Sequence, residues 1–161
     1  MPGEDCWHSW TTIELSTVHS AIQRDLVMPK QVVLQVEDDE ASHFVFRELF
    51  QEICPDLSLQ RARNGFEALA ALHDLAADPS FRIVLIILDV FLPLMNRWEF
   101  LGSMRAIESL RQIPVVMFTG QILERDRLRS LELGIEYVQK PADLRKLLLL
   151  IKEICSRATS A

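Results

Sequence analysis

Residues 82–90 read Arg-Ile-Val-Leu-Ile-Ile-Leu-Asp-Val, and this run limits the fold more than any other stretch of the chain. A strand with one wet face alternates apolar and polar residues, because successive side chains point to opposite sides. Here both parities are apolar from 83 to 88, so both faces must be covered. That is the condition of a central strand in a parallel sheet wrapped by helices. The run is far short of the roughly 18–20 apolar residues of a membrane span, and no other run reaches that length.

The rest of the chain agrees with a wrapped sheet. Apolar, β-branched runs at 31–36, 57–62, 83–88, 115–118 and 137–139 alternate with amphipathic stretches at 42–53, 65–77, 98–109, 122–133 and 142–156. This order predicts an α/β fold: a doubly wound, five-stranded parallel sheet with helices on both faces. Local chemistry marks the boundaries. Asn64 with Glu67 three residues on has the form of a capping box, Gly134 stands where the fourth helix should stop, and Pro114 where the fourth strand should begin.

Composition narrows the class of partner. The 161 residues, 49% hydrophobic and 25% charged, are those of one soluble globular domain. Seventeen basic against 23 acidic residues give a net charge of −6, which argues against binding nucleic acid or anionic membrane; proteins or small phosphorylated molecules are the expected partners. Cys6, Cys54 and Cys155 are too few for a disulfide scaffold, so a reducing cytoplasm is expected. Residues 1–29 read as an extension with a weak helical stripe through Leu15, Val18, Ile22 and Leu26, residues 30–156 as the domain, and 157–161 as a tail. The extension lacks the pattern of a signal peptide, and Met28 is a candidate alternative start.

Ligands of an open parallel sheet bind beyond the carboxyl ends of its strands. There the first strand ends in Glu37, Asp38 and Asp39, the third in Asp89, the fourth in Thr119 and Gly120, and the fifth in Lys140 and Pro141. Carboxylates gathered at one edge repel each other and stay ionised only beside a cation. Hard oxygen donors with room for water suit Mg²⁺. With Thr119 and Lys140 alongside, the set outlines a site for phosphoryl transfer. Plainer readings exist for each part alone: Asp38 and Asp39 as caps of the first helix, Thr119-Gly120 as a turn, Tyr137 as packing.

The stretches VVLQVEDDE, ARNGFEAL, LIILDVFLPLMNRWEFL, VVMFTG and EYVQKP, in this order, resemble the response-regulator receiver domain of two-component signalling, a flavodoxin-like fold, over residues 30–154. The resemblance implies a receiver in which Asp89 accepts a phosphoryl group from the phosphohistidine of a sensor histidine kinase or a histidine phosphotransfer protein, and, since only a few residues follow the last helix, a stand-alone receiver is expected. It implies that Mg²⁺ is held by Asp38, Asp89 and the carbonyl of Phe91, with Glu37 acting through water. It further implies that Thr119 follows the phosphoryl oxygen, that Lys140 pairs with the modified carboxylate, that Tyr137 is a rotameric switch, and that the Lys140–Pro141 bond is cis. The chain departs from the family at Asn96 and Arg97, where Asp-Gly is usual. A glycine there tolerates positive φ and an arginine does not, so a differently shaped loop is expected.

Two further expectations concern partners. In the last helix Leu144, Leu147, Leu148, Ile151 and Cys155 form a core stripe, leaving Leu149 outward and Leu150 at the margin; an exposed leucine there suggests a homodimer. The main rival reading is a pseudo-receiver, a protein-binding module that works without phosphorylation, which Asn96 and Arg97 favour. A haloacid-dehalogenase-like phosphatase would need an aspartate where Phe91 stands, and a dinucleotide fold would need a glycine-rich turn that is absent. The four histidines lack metal-ligand spacing.

Overall fold

The computed structural model describes residues 28–121 and 124–159; the helical stripe at 15–26 and the Cys155 side chain lie outside what is described. The apolar run becomes β3 (Phe81–Leu88), the middle strand of a five-stranded sheet. Its neighbours are β1 (Lys30–Val36) and β4 (Val115–Thr119), with β2 (Ser58–Ala62) and β5 (Glu136–Gln139) at the edges, in the order β2-β1-β3-β4-β5 and all parallel. Both parities of β3 are buried, as its lack of alternation requires: Leu85 and Ile87 face one core, Ile86 and Leu88 the other.

Among the described residues five α-helices cover the two faces. α1 (Glu40–Ile53) and α5 (Leu144–Thr159) lie on one, where Phe46, Phe50, Leu147, Leu148 and Ile151 pack against Val33, Leu85 and Ile87. α2 (Gly65–Ala77) and α3 (Arg97–Ala106) lie on the other, where Leu72, Phe100 and Met104 pack against Leu34, Ile86 and Leu88. α4 (Glu124–Glu132) joins that second face through buried Ser130, whose hydroxyl donates to Met117 Sδ at 3.3 Å and Asp126 O at 2.7 Å.

Several boundaries differ from the pattern reading. α3 ends at Ala106, not 109, because Ile107 turns extended and a single 3₁₀ turn, Glu108–Leu110, swings Leu110 into the core at 1% exposure. Gly134 does terminate α4, with φ 67°, while Ile135 N–H reaches back to Ser130 O at 2.8 Å. The Asn64 cap forms, its side chain accepting from Glu67 N–H, but Glu67 reaches one residue further back, to Arg63 N–H. A reciprocal capping box forms instead at Asn96 and Glu99.

That cap corrects the expectation for the β3–α3 loop. Arg97 carries no positive φ; it is the first residue of α3, and Asn96 is its cap. The left-handed residue is Leu94, φ 70°, three positions earlier. The loop also presses on α2: a Cβ added at Gly65 would sit 2.8 Å from Met95 Sδ, so only glycine permits this approach. In α5 the predicted stripe is buried at Leu144, Leu147, Leu148 and Ile151, Leu149 is 56% exposed, and Leu150 packs partly on the core.

Candidate functional site

The strand order reverses between β1 and β3, and a crevice opens beyond their carboxyl ends. Ladder pairing continues just past both strands: Asp89 N–H donates to Val36 O at 3.0 Å, and Glu37 N–H to Ala62 O at 2.9 Å. This fixes Glu37 and Asp89 side by side at the crevice floor. Lys140, entering from the end of β5, lies across them: its Nζ donates to Asp89 Oδ2 at 2.6 Å and to Glu37 Oε2. The Lys140 backbone N–H donates to Thr119 O at 2.8 Å, tying the lysine to the end of β4, and the bond to Pro141 is cis.

The acidic run after β1 divides its labour. Glu37 is buried, with Oε1 accepting from Asp39 N–H at 3.2 Å. Asp39 caps α1, accepting from Ser42 N–H at 2.6 Å, so the capping reading holds for this residue. Asp38 is exposed, and its carboxylate has no hydrogen-bond or ion-pair partner among the described residues. Asp89 Oδ1 accepts from the Phe91 N–H at 3.1 Å, while the Phe91 ring is 53% exposed beside it.

Burial raises the Glu37 carboxyl above its ordinary value, Lys140 opposes the rise, and the nearby Asp89 charge adds to it. For Lys140 burial works against the ammonium, but the hydrogen bonds to Asp89 and Glu37 outweigh it and hold the pKa above that of a free lysine. The cation that the clustered carboxylates require is thus supplied in part by the chain itself.

Thr119 is fully buried at the end of β4, its hydroxyl accepting from Gln121 N–H at 3.4 Å; it makes no hydrogen bond to Asp89. Tyr137 is half-buried against the α2–α3 core and donates to Gln121 O at 3.4 Å. Burial raises its phenol pKa, Arg97 lowers it, and Asp126 and Asp89 raise it further. Gln121 therefore links the two residues, its N–H donating to the Thr119 hydroxyl and its carbonyl accepting from the Tyr137 hydroxyl.

Arg61 and the partner of Arg97 escaped the pattern reading. Arg61, at the end of β2, donates to Glu37 O at 3.0 Å, Asp38 O at 2.9 Å and Glu40 Oε2 at 2.7 Å. Inspecting the carboxyl end of the second strand, as was done for the other four, finds it. Arg97 donates to Val90 O at 3.2 Å, one residue past Asp89, and forms a buried ion pair with Asp126 of α4. Its partner, distant in sequence in a stretch that alternates charges, gives no local signal.

Among the described residues no three His, Cys, Asp or Glu side chains close into a metal cage. The donor chemistry still fits a hard divalent cation that keeps several waters, since such ions need only one or two carboxylates. Asp38 is unengaged, Asp89 faces the same crevice, and the Phe91 carbonyl belongs to the adjoining loop.

A doubly wound α/β domain with carboxylates at its switch point and a lysine laid across them defines a class of acidic ligand site, and comparison with known proteins places it. The family model of the response regulator receiver domain matches residues 33–152. The chain is 34% identical over 126 residues to the polar-differentiation response regulator DivK of Brucella anthropi, an alignment covering 78% of this chain and 95% of DivK. The phosphorylated cyanobacterial phytochrome response regulator RcpA is similar with a TM-score of 0.63 at 32% identity, over 79% of this chain and 91% of that one. The Mn²⁺-bound response regulator Rcp1 gives a TM-score of 0.58 at 32% identity, over 78% and 91%. The alignments to two further relatives, both probable transcriptional regulators, span only 41% and 44% of those proteins' lengths. The chain belongs to the response regulator receiver domain family. Among the described residues no helix is long and apolar enough to cross a membrane.

Proposed function

We propose that the protein is a phosphoacceptor in a two-component phosphorelay, with Asp89 as the nucleophile. The observation that carries this is the pairing of Asp89, at the end of the central strand, with Lys140 and Glu37. An Asp89 carboxylate oxygen would attack the phosphorus of a phosphohistidine, the P–N bond would break, and the imidazole would leave on the partner kinase or phosphotransfer protein. Lys140 holds one carboxylate oxygen and the Phe91 N–H the other, so the acid is oriented before the donor arrives. Thr119, 0% exposed at the end of the neighbouring strand, is the hydroxyl placed to follow the new phosphoryl group, and Tyr137 the ring that follows Thr119.

Asp38, Asp89 and the Phe91 carbonyl are the residues that would hold Mg²⁺, with Glu37 behind them, in keeping with the metal in the Rcp1 structure. When bound, the ion supplies charge neutralisation at the phosphoryl oxygens. Phosphorylation would then bias a pre-existing equilibrium of the α4–β5–α5 surface. Exposed Leu149 on α5 makes that surface the candidate for a homodimer, which sedimentation with and without phosphorylation tests: a concentration-independent monomer in both conditions removes it. We place the protein in the cytoplasm.

Acetyl phosphate with Mg²⁺ followed by a phosphate-affinity gel tests the reading. One shifted band is expected, lost in Asp89→Asn and on chelation. An unshifted wild-type band with both reagents and a cognate kinase would leave a pseudo-receiver. Asn96 and Arg97, the features that favour that alternative, are taken up as the cap and first residue of α3.

A further inference from the structure

Resting on the metal reading above, we propose that Arg61 is a positioning residue for the divalent cation, a buttress that aims Asp38 without lending an atom to the ion. Every other acidic residue of the run 37–40 is held by its own side chain: Glu37 by Lys140 and the Asp39 N–H, Asp39 by the Ser42 N–H, Glu40 by Arg61. Asp38 has no such anchor, so the direction of its carboxylate depends on its backbone. That backbone is held by Arg61, whose Nε and one terminal nitrogen donate to the carbonyls of Glu37 and Asp38 at 3.0 and 2.9 Å.

A plain surface ion pair with Glu40 does not account for this arrangement. Glu40 is 78% exposed, where such pairs contribute little. The Arg61 side chain is only 12% exposed, and two of its three contacts go to main-chain oxygens. Its planar fork allows one residue to grip two successive carbonyls and still reach a carboxylate. The strand register brings it there, since Arg61 lies opposite Gln35, two residues before Glu37.

The proposal has a sign opposite to simple electrostatics. A guanidinium beside a cation site repels the cation, so if Arg61 acted only through charge, removing it would tighten metal binding. If it acts by positioning, removing it weakens binding by about 10–100-fold, the range typical of residues that orient metal ligands. Mn²⁺ titration followed by the electron paramagnetic resonance signal of the free ion measures this on the full chain, with wild type, Arg61→Gln and Glu40→Gln. Wild type should bind, Arg61→Gln should bind at least about 10-fold more weakly with unchanged far-ultraviolet circular dichroism, and its Asp39 amide should exchange faster without metal. Glu40→Gln, which keeps both carbonyl contacts, should stay within about 3-fold of wild type. Equal or tighter binding by Arg61→Gln overturns the proposal and leaves the metal reading standing; a wild type that binds no Mn²⁺ overturns both. Should Arg61→Gln fail to fold, Arg61→Lys, which keeps the charge but not the fork, carries the test by the same criterion.

Discussion

The buried pair Arg97–Asp126 invites a direct test, because it joins the loop next to Asp89 to α4. Arg97 is 13% and Asp126 5% exposed, and Arg97 also donates to Val90 O at 3.2 Å while its guanidinium lies 5.2 Å from the Trp98 ring. Breaking a buried ion pair by removing one partner costs about 3–5 kcal/mol, because the other charge is left desolvated. Arg97 keeps a carbonyl partner, and neither Arg97 Nε nor Asp126 Oδ2 is in a well-directed hydrogen bond. The lower end, about 3 kcal/mol, is therefore expected for Asp126→Leu. In a chain of this size each kcal/mol moves Tm by about 2–4 °C, so the loss is about 6–12 °C. Arg97→Met should cost a similar amount. The double variant should recover most of the loss, since an apolar pair of similar volume often replaces a buried ion pair at no net cost. Thermal and urea unfolding of the four proteins give the coupling energy. A coupling within about 0.5 kcal/mol of zero would show the two charges to be independent and refute the reasoning.

Other outcomes follow from single sites. The exposed Phe91 ring beside Asp89 should shield an acyl phosphate from water, so Phe91→Asn should shorten the phosphoform's half-life on a phosphate-affinity gel; equal half-lives would count against shielding. Leu94→Gly relieves a left-handed leucine and should raise stability by about 1 kcal/mol in urea unfolding, while a loss would show that the 78% exposed side chain has a packing role. Burial, then the charges of Arg61 and Arg47, hold the His43 pKa below its ordinary 6.5. The unfolded chain therefore binds this proton more readily, and the stability contribution is complete above pH 6.5 and lost as pH falls below it. His43→Gln should flatten the fall of Tm on that acid side, and an unchanged slope would exclude the imidazole.

What the sequence disclosed and what it hid divide along one physical line. The unalternating run at 83–88 had to be a central strand because burial on both faces leaves no polar parity, and β3 is that strand. The site residues were legible for the same reason: once the strands are placed, topology alone brings Glu37, Asp89, Thr119 and Lys140 to one edge. Departures appear where a side chain answers to something distant in sequence. α3 stops at Ala106 because Leu110 must reach the core, and the helical stripe carried no sign of that demand. Arg97 looked like a misfit for a glycine, whereas Asn96 and Glu99 moved the helix start onto it and left the positive φ to Leu94. Arg61 and Asp126 act through partners on other elements, which periodicity does not encode.

The cation requirement inferred from the acidic residues takes a particular form in three dimensions. Glu37, Asp38 and Asp89 bring three carboxylates to the crevice, and Lys140 returns one positive charge, engaging Glu37 and Asp89 but not Asp38. With all groups ionised, two negative charges remain, the complement of a divalent ion. Lysine and metal are thus not rivals for the whole cluster. Lys140 lets Glu37 and Asp89 approach each other inside the fold, where burial raises the Glu37 carboxyl and Asp89 adds to that rise. Asp38 is exposed and unengaged, and on the proposed function it would be free to meet an ion that keeps its waters. Adding a phosphoryl group to Asp89 changes the charge that Lys140 faces without changing Glu37. On the proposed function the ammonium would have a reason to shift toward the modified acid, and through its backbone bond to Thr119 O that shift would act on the end of β4.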